Sequence, residues 1–417
     1  MVNIGILTIG NELISGRVQD INSSWIARYL IFHGLQTSTL LSVGDCEISI
    51  RHAINVCLAH CNAVIITGGL GSTEDDITVG ALGRIWERPL FQDDYVLNLL
   101  KERIRARGYR WTERHARQAL FPEGASLLPN PVGSAWGFSL FHQDRLFIVL
   151  PGIPEETIRM TIDHVVPLLK QTFPDGYCPS FSRTFKCFAL PETEMEEKLS
   201  GLIPQEHLID MGFYPAFPEV HLVLTSHHPD QEKAKQYLEE ADQVISKALS
   251  LYLFGRDEET LAGIVGNLLT QKGFSLAVAE SCTGGLIADT LTNVPGSSAY
   301  FDRGVVTYSN AAKTALLGIS EEILKAHGAV SEQTARTMAE GIRLSCGADL
   351  GISTTGIAGP SGATPGKPVG TVFMALAHKA DTLCRGYHFS GERRKIKTVT
   401  AYTALIMLRD YLLSLSP

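Results

Sequence analysis

No block of lysine or arginine occurs anywhere in the 417 residues, and acidic residues outnumber basic ones 44 to 36, for a formal net charge of −8. A nucleic-acid or anionic-membrane surface needs a clustered basic patch, so no direct nucleic-acid partner and no membrane partner is expected. Anionic small molecules are still admitted, because backbone amides bind them without net positive charge. CxxC pairs are missing too: the eight cysteines are scattered, and the closest two, Cys57 and Cys61, fit one helical turn. The opening MVNIGILTIGNEL lacks a basic leader and reads as a buried strand, so thiol usage of a reducing compartment, and a cytoplasmic location, are expected. No apolar run approaches membrane-spanning length. There is no low-complexity segment and no fixed-period repeat. What the chain does have is 45% hydrophobic residues against 19% charged, enough to bury cores, and a length suited to two or three domains.

The first 170 or so residues alternate short apolar runs with helical periods. NIGILTIG (residues 3–10), TSTLLSV (37–43) and AVIITGG (63–69) read as strands, with helical spacing over 23–33 and 49–61. Strand–helix–strand order on short connections predicts a parallel sheet covered on both faces. Binding groups then belong at the carboxyl ends of the strands. Residues 174–179, between Pro174 and Pro179, look like a linker. Beyond them the rhythm changes to a small α+β module, with strands at 183–190 and 219–226, helical patterns at 193–202 and 230–251, and an aromatic turn at 212–220. A third region opens with a helix at Ala262, continues through the strand FSLAVAE (274–280), and ends in a long helix over 394–415. The expected domains are 1–173, 174–256 and 257–417.

Glu280-Ser281-Cys282-Thr283-Gly284-Gly285 sits where the third region's strand turns into a helix. Two readings of Ser281 stand. It caps the helix, or it is a nucleophile at the sheet edge with helix amides beside it for an oxyanion. A serine hydroxyl needs a base. Lys313, in YSNAAK (308–313), serves if burial lowers its pKa, and is otherwise a solvated lysine. Cys282 is a rival nucleophile, since a helix N-terminus lowers thiol pKa; adjacent residues at a strand end tend to face opposite ways. STTGIAGPSG (353–362) presents Thr354, Thr355 and Gly356 to a phosphate or oxyanion, and GKPVGTV (366–372) and GERRK (391–395) offer cations.

In the first region TGGLGSTEDD (67–76) combines three glycines with an acidic pair. Gly68, Gly69 and Gly71 permit the close backbone approach that a phosphate wants. Asp75 and Asp76 would repel that phosphate unless a divalent cation lay between; alternatively they start a helix near Ile77. Asn11-Glu12 and Asp20 follow the first strand.

The stretch from about Leu261 onward resembles the CinA C-terminal domain, the nicotinamide mononucleotide deamidase family. AESCTGG, PGSSAYF, YSNAAKTALLGI, GAVSEQTA, TTGIAGPSG and KPVGTV occur in the family's order. The resemblance implies a nicotinamide-nucleotide amidase that yields nicotinic acid mononucleotide and ammonia by a Ser/Lys mechanism without metal or other cofactor. Ser281 would be the nucleophile, Lys313 its base, Tyr308 a helper in proton transfer, and Thr355 a group that holds or polarises the reacting atoms. Gly284, Gly285, Ser298, Thr354, Gly356 and Arg393 would contact substrate. Two positions depart from the family's habit: Ala363 stands where a second glycine is common, and Lys397 where an arginine is usual, which keeps charge but loses the bidentate fork.

Residues 1 to about 170 resemble the CinA N-terminal domain, related to the molybdopterin-binding fold of the MoaB and MogA type, with Ser72 where TGGLGPT is common. This implies a pyrophosphatase splitting ADP-ribose into AMP and ribose 5-phosphate with Mg, Mn or Co. Asp75 and Asp76 would hold the metal, with Glu12 and Asp20 beside them, and Gly68, Gly69 and Gly71 would cradle phosphates. The same fold also serves as a pterin-binding module without hydrolysis. The middle module resembles the KH-like segment of CinA proteins. It lacks a GxxG loop and carries the acidic run ETEMEEK (192–198), so RNA is not expected there. His207, His221, His227 and His228 are too irregularly spaced to suggest a metal. The expected class is therefore α/β throughout: a MoaB/MogA-like α/β domain, a small α+β KH-like domain, and an α/β CinA deamidase domain. A homodimer is implied by the resemblance. The competing class is an interaction protein tied to competence or DNA damage.

Overall fold

The computed structural model describes residues 2–106, 108–176, 181–226, 228 and 230–415. It forms two compact units, residues 1–182 with 225–237, and 183–224 with 238–417.

In the first unit, β1 (Asn3–Ile9), β2 (Gln36–Val43), β3 (Ala63–Thr67), β6 (Ser126–Leu128), β7 (Gly137–His142) and β8 (Arg145–Leu150) form one sheet, ordered β2-β1-β3-β8-β7-β6. β4 (Leu90–Gln92) and β5 (Leu120–Pro122) form a separate two-stranded ribbon. Side chains alternate across the main sheet. Leu7, Ile9, Val64, Ile66, Phe147 and Val149 enter the core on one face. Ile4, Ile6, Ala63, Ile65, Leu146 and Ile148 enter the core on the other. The three strands read from the sequence are parallel as expected, and the sheet continues beyond them in mixed direction. β2, β1, β3 and β8 are parallel, but β7 and β6 run antiparallel. β7 and β8 are joined by Gln143 and Asp144 alone, at φ 47° and 59°. Two residues with positive φ make a hairpin turn, whereas a parallel crossover needs a dozen residues or more.

Where β1, β3 and β8 end, backbones converge. Gly68 has φ +105°, and a Cβ there would lie 2.1 Å from the carbonyl oxygen of Ile9. Gly68→Ala is expected to destabilise the unit by about 3 kcal/mol, read as a lower urea midpoint.

The second sheet is ordered β10-β11-β9-β12, with β9 (Phe181–Phe188), β10 (Ile209–Ala216), β11 (Glu219–Ser226) and β12 (Leu253–Arg256). Helices Glu192–Leu199 and Gln231–Ala248 match the expected periods. The expected aromatic turn is the tip of a hairpin, Phe217-Pro218, together with most of β10. Gly212 and Pro215 hid that strand, and an edge position tolerates them. Tyr177, Cys178 and Pro179 of the expected linker, and His227, lie outside the described residues.

The third sheet is ordered β14-β13-β15-β16-β17: β13 (Leu276–Glu280), β14 (Phe301–Val306), β15 (Leu350–Gly356), β16 (Thr371–Ala377) and β17 (Thr382–His388). β14, β13 and β15 are parallel, and β16 and β17 are antiparallel. Leu276 and Val278 join the core that also holds Val265, Leu269, Leu405 and Leu408, from helices Leu261–Lys272 and Arg393–Ser414. Ala277 and Ala279 face helix Glu332–Cys346 through Met338 and Ile342. Small residues on that face let the helix come close; a Cβ on Gly351 would lie 2.2 Å from the carbonyl oxygen of Ala339.

Candidate active sites

β13 delivers the chain to Ser281 between two parallel neighbours. The Ser281 amide donates to the carbonyl of Thr354 at the end of β15 (3.0 Å), and Thr307, just past β14, donates its amide to the carbonyl of Glu280 (2.7 Å). Gly284 (φ +64°) and Gly285 (φ +95°) then turn the chain into helix Leu286–Thr292. The glycines are demanded by the turn.

Lys313 reaches this corner from helix Asn310–Leu317, whose first turn is capped by Ser309. Its Nζ lies 3.0 Å from Ser281 Oγ and donates to the Thr307 carbonyl at 2.7 Å. The lysine is 1% exposed. Among the described residues no carboxylate pairs with it. Desolvation holds the amine's pKa below the ordinary lysine value, against a smaller opposing pull from neighbouring Cys282. Lys313 is not a solvated lysine, and the helix Leu286–Thr292 starts from Gly285 with no side-chain cap, so Ser281 is not its cap.

Cys282 is packed in the apolar core. Burial pushes its thiol up to about 12, against the opposing effects of its own backbone amide, the Lys313 charge and the Thr354 hydroxyl. A thiol of that kind is inert at neutral pH.

The other expected residues have partners of their own. The Thr355 hydroxyl donates to the Ala329 carbonyl (2.6 Å), and Thr354 shares a 2.8 Å hydroxyl contact with Thr283. Tyr308 is 61% exposed, and its hydroxyl accepts from Arg393 Nη2 at 2.5 Å while Arg393 Nη1 donates to the Gly359 carbonyl at 2.7 Å. This ties Tyr308 to Arg393. Gly356 is dictated by packing, because a Cβ there would meet Val372 Cγ2 at 2.7 Å and the Thr371 carbonyl oxygen at 2.8 Å. Ser298 is exposed in the single 3-10 turn Ser297–Ala299. Lys367 donates to the carbonyls of His327 and Val330, a staple rather than a free cation. Lys397 is nearer the corner: its Nζ would stand 3.3 Å from a Cβ on Gly284.

Three of the amides at the helix start are also taken. Glu280 is 1% exposed and accepts from the amides of Gly285 (3.0 Å), Ile287 (3.1 Å) and Ala288 (2.9 Å). Glu280 and Thr307 carry the corner's scaffolding, though neither stands out in the sequence as a site residue. An acidic residue closing a wholly apolar strand was the available signal, since an unpaired acid is rarely buried.

The first unit holds a cleft of about 480 Å3 at the carboxyl ends of β1, β3 and β8. Gly68, Gly69 and Gly71 line it, as do Glu12, Asp20, Asp45, Asp75, Asp76 and Glu156, and among the described residues no lysine, arginine or histidine does. The glycines answer first to their own loop. A Cβ on Gly69 would lie 2.1 Å from Thr78 Oγ1, and one on Gly71 2.4 Å from Asp76 Oδ2. Thr73 donates its hydroxyl to Asp75, and its amide (2.8 Å) and hydroxyl (2.6 Å) to Asp76. Asp20 accepts from Thr8 Oγ1 (3.1 Å) and the Ser23 amide (3.0 Å), anchoring helix Asn22–Phe32. Asp45, not singled out from sequence, titrates above the ordinary carboxylate range through burial, reinforced by the charges of Glu12 and Asp75. Buried Glu156 accepts from Asn130 Nδ2 at 2.7 Å. Among the described residues no three His, Cys, Asp or Glu side chains gather closely enough to hold a metal ion.

These domains have recognisable relatives. Residues 5–171 match the probable molybdopterin binding domain, 182–255 the damage-inducible protein CinA KH domain, and 258–412 the CinA C-terminal domain. The class is thus a mixed α/β protein with a molybdopterin-binding-type first domain, a KH-like middle and a CinA C-terminal domain. The chain is 49% identical over 412 residues to a CinA-like protein of Syntrophus aciditrophicus, covering 99% of this chain and 98% of that one. It is 40% identical over 411 residues to a CinA-like protein of Syntrophotalea carbinolica, with the same coverage. It belongs to the CinA family. A solved structure of competence damage-inducible protein A from Klebsiella pneumoniae is 36% identical over 37% of this chain and 97% of its own, at TM-score 0.37. No helix among the described residues is long and apolar enough to cross a membrane.

Proposed function

We propose that the C-terminal domain is a serine amidohydrolase that converts nicotinamide mononucleotide to nicotinic acid mononucleotide and ammonia. The observation that carries this reading is the 3.0 Å contact between Ser281 Oγ and a buried lysine amine without a counter-ion. With that amine uncharged, the serine O–H donates to Nζ. Ser281 Oγ attacks the carboxamide carbon as its proton passes to Lys313. The ammonium so formed protonates the departing nitrogen, the C–N bond breaks, and ammonia leaves an acyl ester on Ser281. Water then adds to the ester carbon, giving its proton to Lys313, which returns it to the serine oxygen as the carboxylate product departs. The Thr307 carbonyl aims the amine throughout. Lys397, above Gly284, and Arg393 supply positive charge for the substrate's phosphate.

For the first unit the proposal is hydrolysis of ADP-ribose to AMP and ribose 5-phosphate, supported by the cleft's charge. Six carboxylates and no cation would repel a bare pyrophosphate. A divalent ion offsets that repulsion, and magnesium-type ions are commonly held by one or two carboxylates together with phosphate oxygens and water. The residues fit such a shared site better than an all-protein cage, with Asp75, Asp76 and Glu12 of the cleft lining as its donors; Asp20 is already engaged on both oxygens. When bound, the ion would neutralise phosphate charge, while Gly68, Gly69 and Gly71 keep the backbone open to the ligand.

A two-substrate assay with chelator tests both proposals. Excess EDTA is expected to stop AMP release and leave ammonia release unchanged. AMP release that survives the chelator removes the metal from the first proposal; tight pterin binding without AMP release replaces it. Absence of ammonia release from nicotinamide mononucleotide defeats the amidase and brings the interaction-protein reading forward.

A further inference from the structure

We propose that Glu280 is a positioning residue whose buried carboxylate splints the Ser281 corner. The proposal rests on Ser281 being the nucleophile. A carboxylate that is 1% exposed is stable only with strong compensation, and its three backbone donors supply it as charge-assisted hydrogen bonds. All three donors lie beyond the nucleophile, so the side chain closes a ring around Ser281, Cys282, Thr283 and Gly284. Two of those residues matter for different reasons: Ser281 must hold one rotamer, and Gly284 at φ +64° has no side chain to stiffen its turn.

The same residue reaches the base through its main chain. The Glu280 carbonyl accepts from the Thr307 amide at 2.7 Å, and the Thr307 carbonyl accepts from Lys313 Nζ at 2.7 Å. One residue thus fixes the loop bearing the hydroxyl and the carbonyl that aims the amine. Its charge is spent on helix amides and not on Lys313, which leaves the amine free to be neutral. A carboxylate turned the other way would form an ion pair and hold the lysine protonated.

Glu280→Gln tests this while keeping shape. The amide has one oxygen acceptor, and its NH2 group faces backbone N–H donors, so at least one amide loses its partner. A displacement of the nucleophile by about 1 Å is expected to lower kcat about 100-fold. KM for nicotinamide mononucleotide should stay unchanged, because substrate groups are not touched. The second readout is the rate at which a fluorophosphonate labels Ser281, which needs no knowledge of the substrate. Labelling that slows to a similar extent in Glu280→Gln, at an unchanged circular dichroism spectrum, supports the splint even if wild-type protein fails to deamidate the nucleotide. Labelling and kcat equal to wild type overturn it. If the variant does not fold, amide exchange on the wild-type protein decides: the Gly285, Ile287 and Ala288 amides should be protected, and exchange at the rate of exposed loop amides overturns the splint.

Discussion

Ser281→Ala is expected to lower deamidation of nicotinamide mononucleotide by about ten-thousand-fold or more, whereas Cys282→Ala keeps most of the activity. The contrast separates two neighbours that chemistry alone would rank the other way, since a thiol is intrinsically the better nucleophile. Cys282 is in the apolar core with its thiol pushed up to about 12, so almost no thiolate exists at neutral pH. Ser281 faces the buried amine 3.0 Å away. Ammonia release from the two purified variants, with their unfolding midpoints as control, reads the difference. Cys282→Ala leaves a small cavity and should lower the midpoint modestly. The reverse pattern of activities would move the nucleophile to the thiol.

Lys313→Met is expected to reduce kcat about a thousand-fold, the scale of a lost general base, without lowering the unfolding midpoint at neutral pH. Methionine fills the lysine's channel and has no amine to desolvate. The pH dependence carries the stronger signature. Burial depresses the folded-state pKa below the unfolded value of 10.5. Between those two values the unfolded chain binds more protons than the folded one, so wild-type stability rises with pH across that window. Below the folded pKa both states are protonated, and the full unfavourable effect of the buried charge is present. In Lys313→Met this contribution to the slope should vanish. In wild type, kcat/KM for deamidation should climb with pH and level off at the folded-state pKa, below 10.5, because the neutral amine is the working base. A rate profile still climbing through 10.5 would place Lys313 in solvent-like surroundings and remove it as the base.

Much of the architecture was legible because periodicity reports burial. β1, β3 and β13 read as strands from runs such as AVIIT and LAVAE, and the end helix of residues 394–415 appears as Arg393–Ser414. What was misread depended on local exceptions. β10 carries a glycine and a proline that only an edge position excuses, and β7 reverses direction through a two-residue turn whose geometry depends on positive φ at non-glycine residues. In the site, residue types named the chemistry but not the partners. Tyr308 stands in the same motif as Lys313, yet its hydroxyl turns to Arg393, 85 positions away. Thr355 turns to a loop carbonyl, and Asp20 to the start of a helix.

By itself, the order of residues determined three domains' worth of alternating elements, the corner at Ser281, and a net acidic balance. Those properties are local or additive, so composition and spacing suffice to state them. Only the folded chain decided that Lys313 is buried without a counter-ion, that Cys282 faces the core, and that Glu280 spends its charge on three amides. Each of these depends on which distant groups fill the last few ångströms around a side chain, and desolvation, the force that tunes the amine, exists only once those groups have closed over it.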